Sequence, residues 1–319
     1  MAAPTNTFTT GSAVGNREDL EDMIYRIDPT EVPFQSAIER GKATAVLHEW
    51  QTQALAAANS GNAQLEGDTP TPQAVTPTVR IGNICQISYK IASVSGTQEA
   101  VDHAGRDSEI AYQEMLKGME LKRDIEAVLT SNQAKASGPP RNTASVLSWI
   151  KSNTDCNTAS AGTPGADPAA ADGTGTRTDA TNLIAFTENR LKGVLQKIWN
   201  AGGKPNQIMT GGTNKQQFST FTGRATTTQE AKTKKVVASV DVYEGDFGVQ
   251  KVVANRFQRA RDVLVLQTDM WALTPLNGRS MISIPLAKVG DSTQRQVLSE
   301  YALEARNEKS SGGVFDNTN

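Results

Sequence analysis

The sequence predicts an α+β fold organised around one long helix. Three observations carry that expectation. Residues 107–132 hold no proline and one glycine, Gly118, among strong helix formers. Residues 79–91 alternate apolar and polar side chains, and the last third of the chain is a succession of short apolar or alternating runs. A helix of about 26 residues would be a rod of roughly 39 Å. Asp107 or Ser108 can cap it after the break at Gly105. On a helical wheel Ala111, Tyr112, Met115 and Met119 share one side, whereas Leu121, Ile125, Val128 and Leu129 are displaced by a quarter turn or more. A stripe that wanders predicts a spine that meets different neighbours along its length.

In chain order, residues 1–16 read as an extended arm. Asn16 can cap a short helix through Leu20, Met23 and Ile24, and Thr30 or Pro33 opens a second that ends at Gly41. Residues 44–94 read as a long two-stranded excursion. Val79, Ile81, Cys85, Ile87, Tyr89 and Ile91 would share one face of its return arm, and a Gly-, Pro- and Thr-rich tip spans 57–77. A lone hairpin is marginal in water, so this one should lie on a neighbouring subunit. After the long helix, residues 136–181 read as the least ordered part of the chain: an apolar knot of Val146, Leu147, Trp149 and Ile150 docks as a short helix, and the rest, 156–178, reads as a surface loop or mobile insertion. A second helix follows over 183–200, stopped by Gly202, Gly203 and Pro205. A strand at 207–210 and a helix through Phe218 come next. Strands are then expected around Val236–Val242, Val249–Asn255, Val263–Leu266, Met281–Leu286 and, longest, Val297–Arg306. The tail from Lys309 reads as polar and loose.

At 319 residues the chain exceeds one typical core, so two domains are expected. Its net charge of −2 gives no general attraction to nucleic acid or anionic membrane. No apolar run is long enough to span a bilayer, and the first residues lack the basic and apolar regions of a secretory signal. Two cysteines in unlike contexts, Cys85 and Cys156, suit a reducing compartment. Aromatic residues are only 5%, which hints that other subunits complete some faces.

No catalytic constellation emerges. Two histidines, His48 and His103, and two scattered cysteines cannot assemble a tetrahedral zinc set of ordinary spacing. Gly211-Gly212-Thr213-Asn214-Lys215 lacks Walker-loop spacing and reads as a strand-to-helix turn. Asp167, Asp172 and Asp179 do not fit an EF-hand loop. Glu120 and Asp124, flanked by Lys117, Lys122 and Arg123, read as a salt-bridged helix face. Cys85 reads as core. Basic residues are denser from Arg224 to Arg261, but interspersed acids make a face that pairs with acidic neighbours or tolerates nearby DNA, without specific readout. No cofactor is expected.

Several local motifs carry a resemblance: Tyr25-Arg26-Ile27-Asp28-Pro29-Thr30-Glu31-Val32-Pro33-Phe34, His48-Glu49-Trp50-Gln51, Gly105-Arg106-Asp107-Ser108-Glu109, Leu121-Lys122-Arg123-Asp124-Ile125-Glu126, Tyr243-Glu244-Gly245-Asp246-Phe247-Gly248, Asn255-Arg256-Phe257 and Glu300-Tyr301-Ala302-Leu303-Glu304. Together with the order of elements they resemble the SU-ten-like major capsid family of tailed bacteriophages, with the Hong Kong 97-type fold. The loop at 138–178 is the one stretch outside the resemblance.

The resemblance implies an N-terminal arm (1–43), an extended loop (44–94), a spine helix and peripheral domain with the insertion (95–182), an axial domain (183–290) and a return strand with the tail (291–319). It implies a non-enzymatic shell protein that assembles with itself into hexamers and pentamers around double-stranded DNA, in the virion, after assembly in the bacterial cytoplasm. A portal protein and a separate scaffolding protein are the expected partners, with a decoration protein as a further one and no membrane. No Lys–Asn crosslink is expected. Trp50, Glu66, Asp68 and Arg224 are the candidate contacts between subunits. The alternatives are an encapsulin-type compartment shell, a carboxylate-based hydrolase and a secreted adhesin, the last disfavoured by the missing signal.

Overall fold

The protein was analysed as a computed structural model that describes residues 29–103, 105–221 and 241–318. The stretch 1–16, the Asn16-capped helix, Arg224 and residues 236–240 of the strand expected around Val236–Val242 lie outside them.

The helices are α1 (Pro33–Ala37), α2 (Gly96–Ala100), α3 (Glu109–Leu129), α4 (Val146–Trp149), α5 (Glu188–Asn200) and α6 (Gly212–Phe218). The strands are β1 (Glu39–Arg40), β2 (Leu47–Thr52), β3 (Val79–Ile84), β4 (Gln86–Ser95), β5 (Thr154–Asp155), β6 (Gln207–Thr210), β7 (Val242–Gly245), β8 (Gly248–Ala254), β9 (Val263–Leu266), β10 (Trp271–Pro275), β11 (Ile282–Pro285), β12 (Ser292–Ala305) and β13 (Gly312–Val314).

The long helix is real and slightly shorter than expected. Ser108 caps it, its hydroxyl accepting the Ala111 N–H. Its wandering stripe has a structural counterpart. Leu121, Ile125 and Leu129, on the C-terminal half, are fully buried, while Met115 on the N-terminal half stays half exposed. Ion pairs Lys90–Asp124 (2.7 Å) and Arg295–Glu114 (3.4 Å) fasten the helix to the sheet beneath. Lys117–Glu120 adds the expected charged face.

That sheet is organised on β12. One edge of β12 pairs with β4 from Ser292 to Tyr301. The other edge pairs with β11 and then with β10, which carries β1. The second sheet runs β5-β13-β9-β6-β8-β7, with α5 packed through Leu191, Val194, Leu195 and Ile198 against Ile208, Val263, Val265 and Val314. The main core lies between the two sheets. It joins Leu121, Ile125 and Leu129 to Met209, Leu264 and Leu266 of one sheet and to Trp271, Leu273, Tyr301 and Leu303 of the other.

Three expectations are corrected. The alternation over 79–91 is two strands, not one. The chain turns at buried Cys85, and from Gln86 it pairs with β12 instead of β2. The hairpin proper is β2 with β3, from Leu47↔Ile84 to Thr52↔Val79. In β4 the buried residues are Ala92 and Val94, while Ile87, Tyr89 and Ile91 face outward, half exposed. Second, the stretch at 156–178 is packed, not a loose loop: the Arg177 guanidinium stacks 3.5 Å above Phe315, and Thr154 and Arg177 both donate to Asp167. The apolar knot docks as the expected short helix, α4, with Val146, Leu147, Trp149 and Ile150 fully buried, and Arg141 pairs with Glu300 of β12. Third, the tail is interior. β13 sits between β5 and β9, and Phe315, Asp316 and Asn317 are buried. Glycine permits this: a Cβ at Gly312 would collide with the Asn153 carbonyl oxygen, and one at Gly313 with the Phe315 ring.

Candidate assembly site: the hairpin and its root

The β2–β3 hairpin leaves the body as a two-stranded ribbon whose tip, 53–78, has no regular structure and is exposed throughout. Three apolar side chains on the tip are almost bare: Leu55 at 97%, Leu65 at 79% and Val75 at 87%. Glu66 and Asp68 sit in a turn allowed by Gly67, whose φ is +81°. The Asp68 carboxylate accepts the Thr69 N–H (2.8 Å). Neither acid makes an ion pair with a described residue.

The root differs from the tip. On β2, the Trp50 indole N–H donates to the Ala305 carbonyl (3.0 Å), and its ring lies 5.4 Å from that of Trp149. Trp50 is therefore engaged by its own subunit, which the sequence did not anticipate. His48 meets Glu304 (3.2 Å), and Arg306 meets the other oxygen of that carboxylate (3.1 Å). The hydrogen bonds from His48 and Arg306 hold Glu304 below the usual carboxylate range despite partial burial. On β3, Asn83 is fully buried and fully used. Its amide donates to the carbonyls of Leu303 (2.7 Å) and Ala144 (3.3 Å), and its oxygen accepts from Ala144 N (2.8 Å) and Ile84 N (2.9 Å). Gly82 lets the two strands close up, since a Cβ there would lie 2.7 Å from the His48 carbonyl oxygen.

Two apolar surfaces on the body are also uncovered. One is the outward face of Ile87, Tyr89 and Ile91. The other is an open groove of about 360 Å³ between α3 and the sheet, lined by Ala111, Met115, Gly118, Met281 and Val297.

The residues screened for chemistry have structural roles. Burial and the nearby charge of Glu300 push the Cys85 thiol up to about 11, far from a thiolate. Asp167 pairs with Arg177 and Asp179 with Arg259, both at 2.5 Å, and Asp172 accepts from Thr174. Arg259 and Arg261 thus spend their charge on Asp179 and Asp316 inside the subunit, as acidic-neighbour pairing predicts. Gly211 is the single residue between β6 and α6, and Gly212–Lys215 make the first turn of that helix. Among the described residues no helix is long and apolar enough to cross a membrane.

The sequence reading missed the buried carboxylate Glu126 of α3. It accepts from the backbone N–H groups of Phe34 (2.7 Å) and Gln35 (3.0 Å) at the start of α1, and from the Asn255 amide (2.8 Å) just beyond β8. Burial raises its pKa, and the donors oppose that rise. A signal existed, because Phe34, Glu126 and Asn255 all fall within motifs quoted above.

A two-sheet body crossed by a spine helix, with a projecting hairpin bare at its tip, is the build of a shell subunit. The fold is the Hong Kong 97-type. The cyanophage A-1(L) capsid asymmetric unit matches with a TM-score of 0.65 and 13% identity, over 98% of this chain and 99% of that one. A phage G structure of major capsid proteins and decoration proteins matches at 0.55 and 11% identity, over the full length of both chains. The major capsid protein of Escherichia phage Phieco32 is 27% identical, over 99% of this chain and 98% of that protein. The SU10 major capsid protein family matches residues 3–318. The chain belongs to that family and is a major capsid protein of a tailed phage. The encapsulin, hydrolase and adhesin alternatives find no support among these relatives.

Proposed function

We propose that the hairpin is the arm by which one subunit holds the next, so that subunits close into hexamers and pentamers of an icosahedral shell around double-stranded DNA. The observation that carries this reading is the tip itself. Bare Leu55, Leu65 and Val75 gain nothing in an isolated subunit, and burying each against a neighbour would contribute about 1.5–3 kcal/mol. A ring-closing, heterologous contact uses such an arm once per subunit. The outward face of Ile87, Tyr89 and Ile91 offers apolar surface of the same kind for a neighbour's tip.

On this reading residues 1–43 are the N-terminal arm and 44–94 the extended loop with its root. Helix α3 and the β12-centred sheet form the peripheral domain, and the β6–β9 sheet with α5 and α6 forms the axial domain; β10 and β11, within the 183–290 expected to be axial, pair into the β12 sheet, and β13 of the return segment pairs into the other. The subunit is structural, not enzymatic. Its partners are further copies of itself, a portal protein, a separate scaffolding protein and, as in the phage G structure, a decoration protein. Assembly takes place in the host cytoplasm.

Deleting residues 58–76 tests the arm. The expected product is a soluble subunit that forms no stable shells by electron microscopy. Closed particles of normal diameter from the deleted chain would overturn the reading.

A further inference from the structure

The excursion between α3 and α5, residues 130–187, grips the root of the hairpin and its exit at four places. Lys135 Nζ donates to the carbonyl of Gly82 on β3 and to that of Asp172 within the excursion, both at 2.7 Å. Ala144 exchanges backbone hydrogen bonds with the buried Asn83 side chain. The Trp149 ring packs against Trp50 on β2, tilted by 44°. Gln133 Nε2 (2.8 Å) and the Thr143 N–H (3.1 Å) both donate to Gln86 Oε1, where the chain leaves the hairpin for β4. The excursion thus holds both strands of the hairpin and its exit. Its own shape is set by a close turn: Gly173 has φ +78°, and a Cβ there would lie 2.9 Å from Trp149 and Ala144.

We propose that this excursion is a positioning brace, fixing the direction in which the hairpin leaves the body and hence the geometry in which neighbouring subunits meet. The inference rests on the reading of the hairpin as the inter-subunit arm. A free two-stranded ribbon is a weak lever. Each hairpin strand has six residues, a length of about 20 Å, so a swing of about 10° at the root displaces the far end by about 3.5 Å. That is the size of a lost van der Waals contact at every joint of a shell. Lys135 is the focal positioning residue, because one ammonium ties β3 to the far limb of the excursion.

The test is Lys135→Met in the full chain, which keeps the aliphatic stem beside Trp149 and leaves the two carbonyls without their donor. Amide hydrogen exchange on unassembled subunits should be at least tenfold faster across β2 and β3, with β6 and α5 unchanged. Particles from cells that also supply the phage's other head proteins should be open or of mixed diameter, and Lys135→Arg should restore closure at least in part. Unchanged hairpin exchange would overturn the brace. Faster exchange with shells of a single normal diameter would overturn the positioning role. If Lys135→Met does not fold, Gln86→Ala is read by the same criteria. Exchange on free subunits does not depend on assembly, so failure of the brace is distinct from failure of the arm, which the 58–76 deletion reports.

Discussion

The carboxylate of Glu126 accepts the backbone N–H of Phe34 at 2.7 Å, joining the last turn of α3 to the first turn of α1. It also takes Gln35 and Asn255, so one buried group ties together α1, α3 and the end of β8. Glu126→Ala would remove the acceptor of four buried donors, the backbone N–H groups of Phe34 and Gln35 and the side-chain amides of Gln35 and Asn255, at a cost of about 3–5 kcal/mol. Glu126→Gln keeps one acceptor and should cost less. Urea unfolding of the unassembled subunit would check the order wild type, Gln, Ala.

Asp262 gives a pH prediction. Burial raises its pKa from 3.8 to about 6, although Arg259, Arg177 and Arg261 oppose the rise. The folded state therefore holds this proton more tightly than the unfolded chain does. The stability it contributes is complete below about pH 3.8 and is lost as pH rises through about 6. Relative to Asp262→Asn, the wild type should lose about 1–2 kcal/mol between pH 5 and 7.5. Parallel denaturation curves at the two pH values would read it, and a constant gap between the proteins would refute it.

Removing residues 312–319 should abolish soluble expression. The deletion exposes the edge of β9, removes the partner of β5 and strips Phe315 from beneath Arg177. A trimmed chain that remains soluble and monomeric would contradict the interior placement of β13.

The acidic tip should act only in numbers. Glu66→Lys with Asp68→Lys should leave the melting temperature of the free subunit unchanged, since neither group has an ionic partner among the described residues and both are exposed. Each exposed ionic contact is worth about 0–1 kcal/mol, so the loss appears as a lower shell yield that depends on salt concentration. Equal yields from wild type and variant at low salt would remove these two acids from the interface.

Much of the fold is legible in the sequence because periodicity reports burial directly. Leu121, Ile125 and Leu129 mark α3, and Leu191, Val194, Leu195 and Ile198 mark α5. Alternation over 79–91 likewise marks extended chain. It cannot say which strand lies alongside, so the handover at Cys85 from β2 to β12 leaves no trace in the pattern. The tail and the excursion mislead for another reason. Gly312 and Gly313 look loose, yet they are small because neighbours crowd them. Residues 136–181 are poor in large apolar side chains and hold their shape partly through hydrogen-bonded polar groups such as Ser145 and Asp167. At the site, the bare tip is legible as turn chemistry. The root is not, because Asn83, Lys135 and Trp149 meet only after the chain has folded.

The sharing of β12 decides how the subunit carries force. A pull on the hairpin enters the body through Trp50 and His48, whose partners Ala305 and Glu304 lie at one end of β12. From there the ladder to β4 runs ten residues along the same strand. Tension along β12 loads that ladder in shear, so its hydrogen bonds resist together instead of opening one after another. The subunit is thus compliant at its tip and stiff along its longest strand, a cable anchored in a girder.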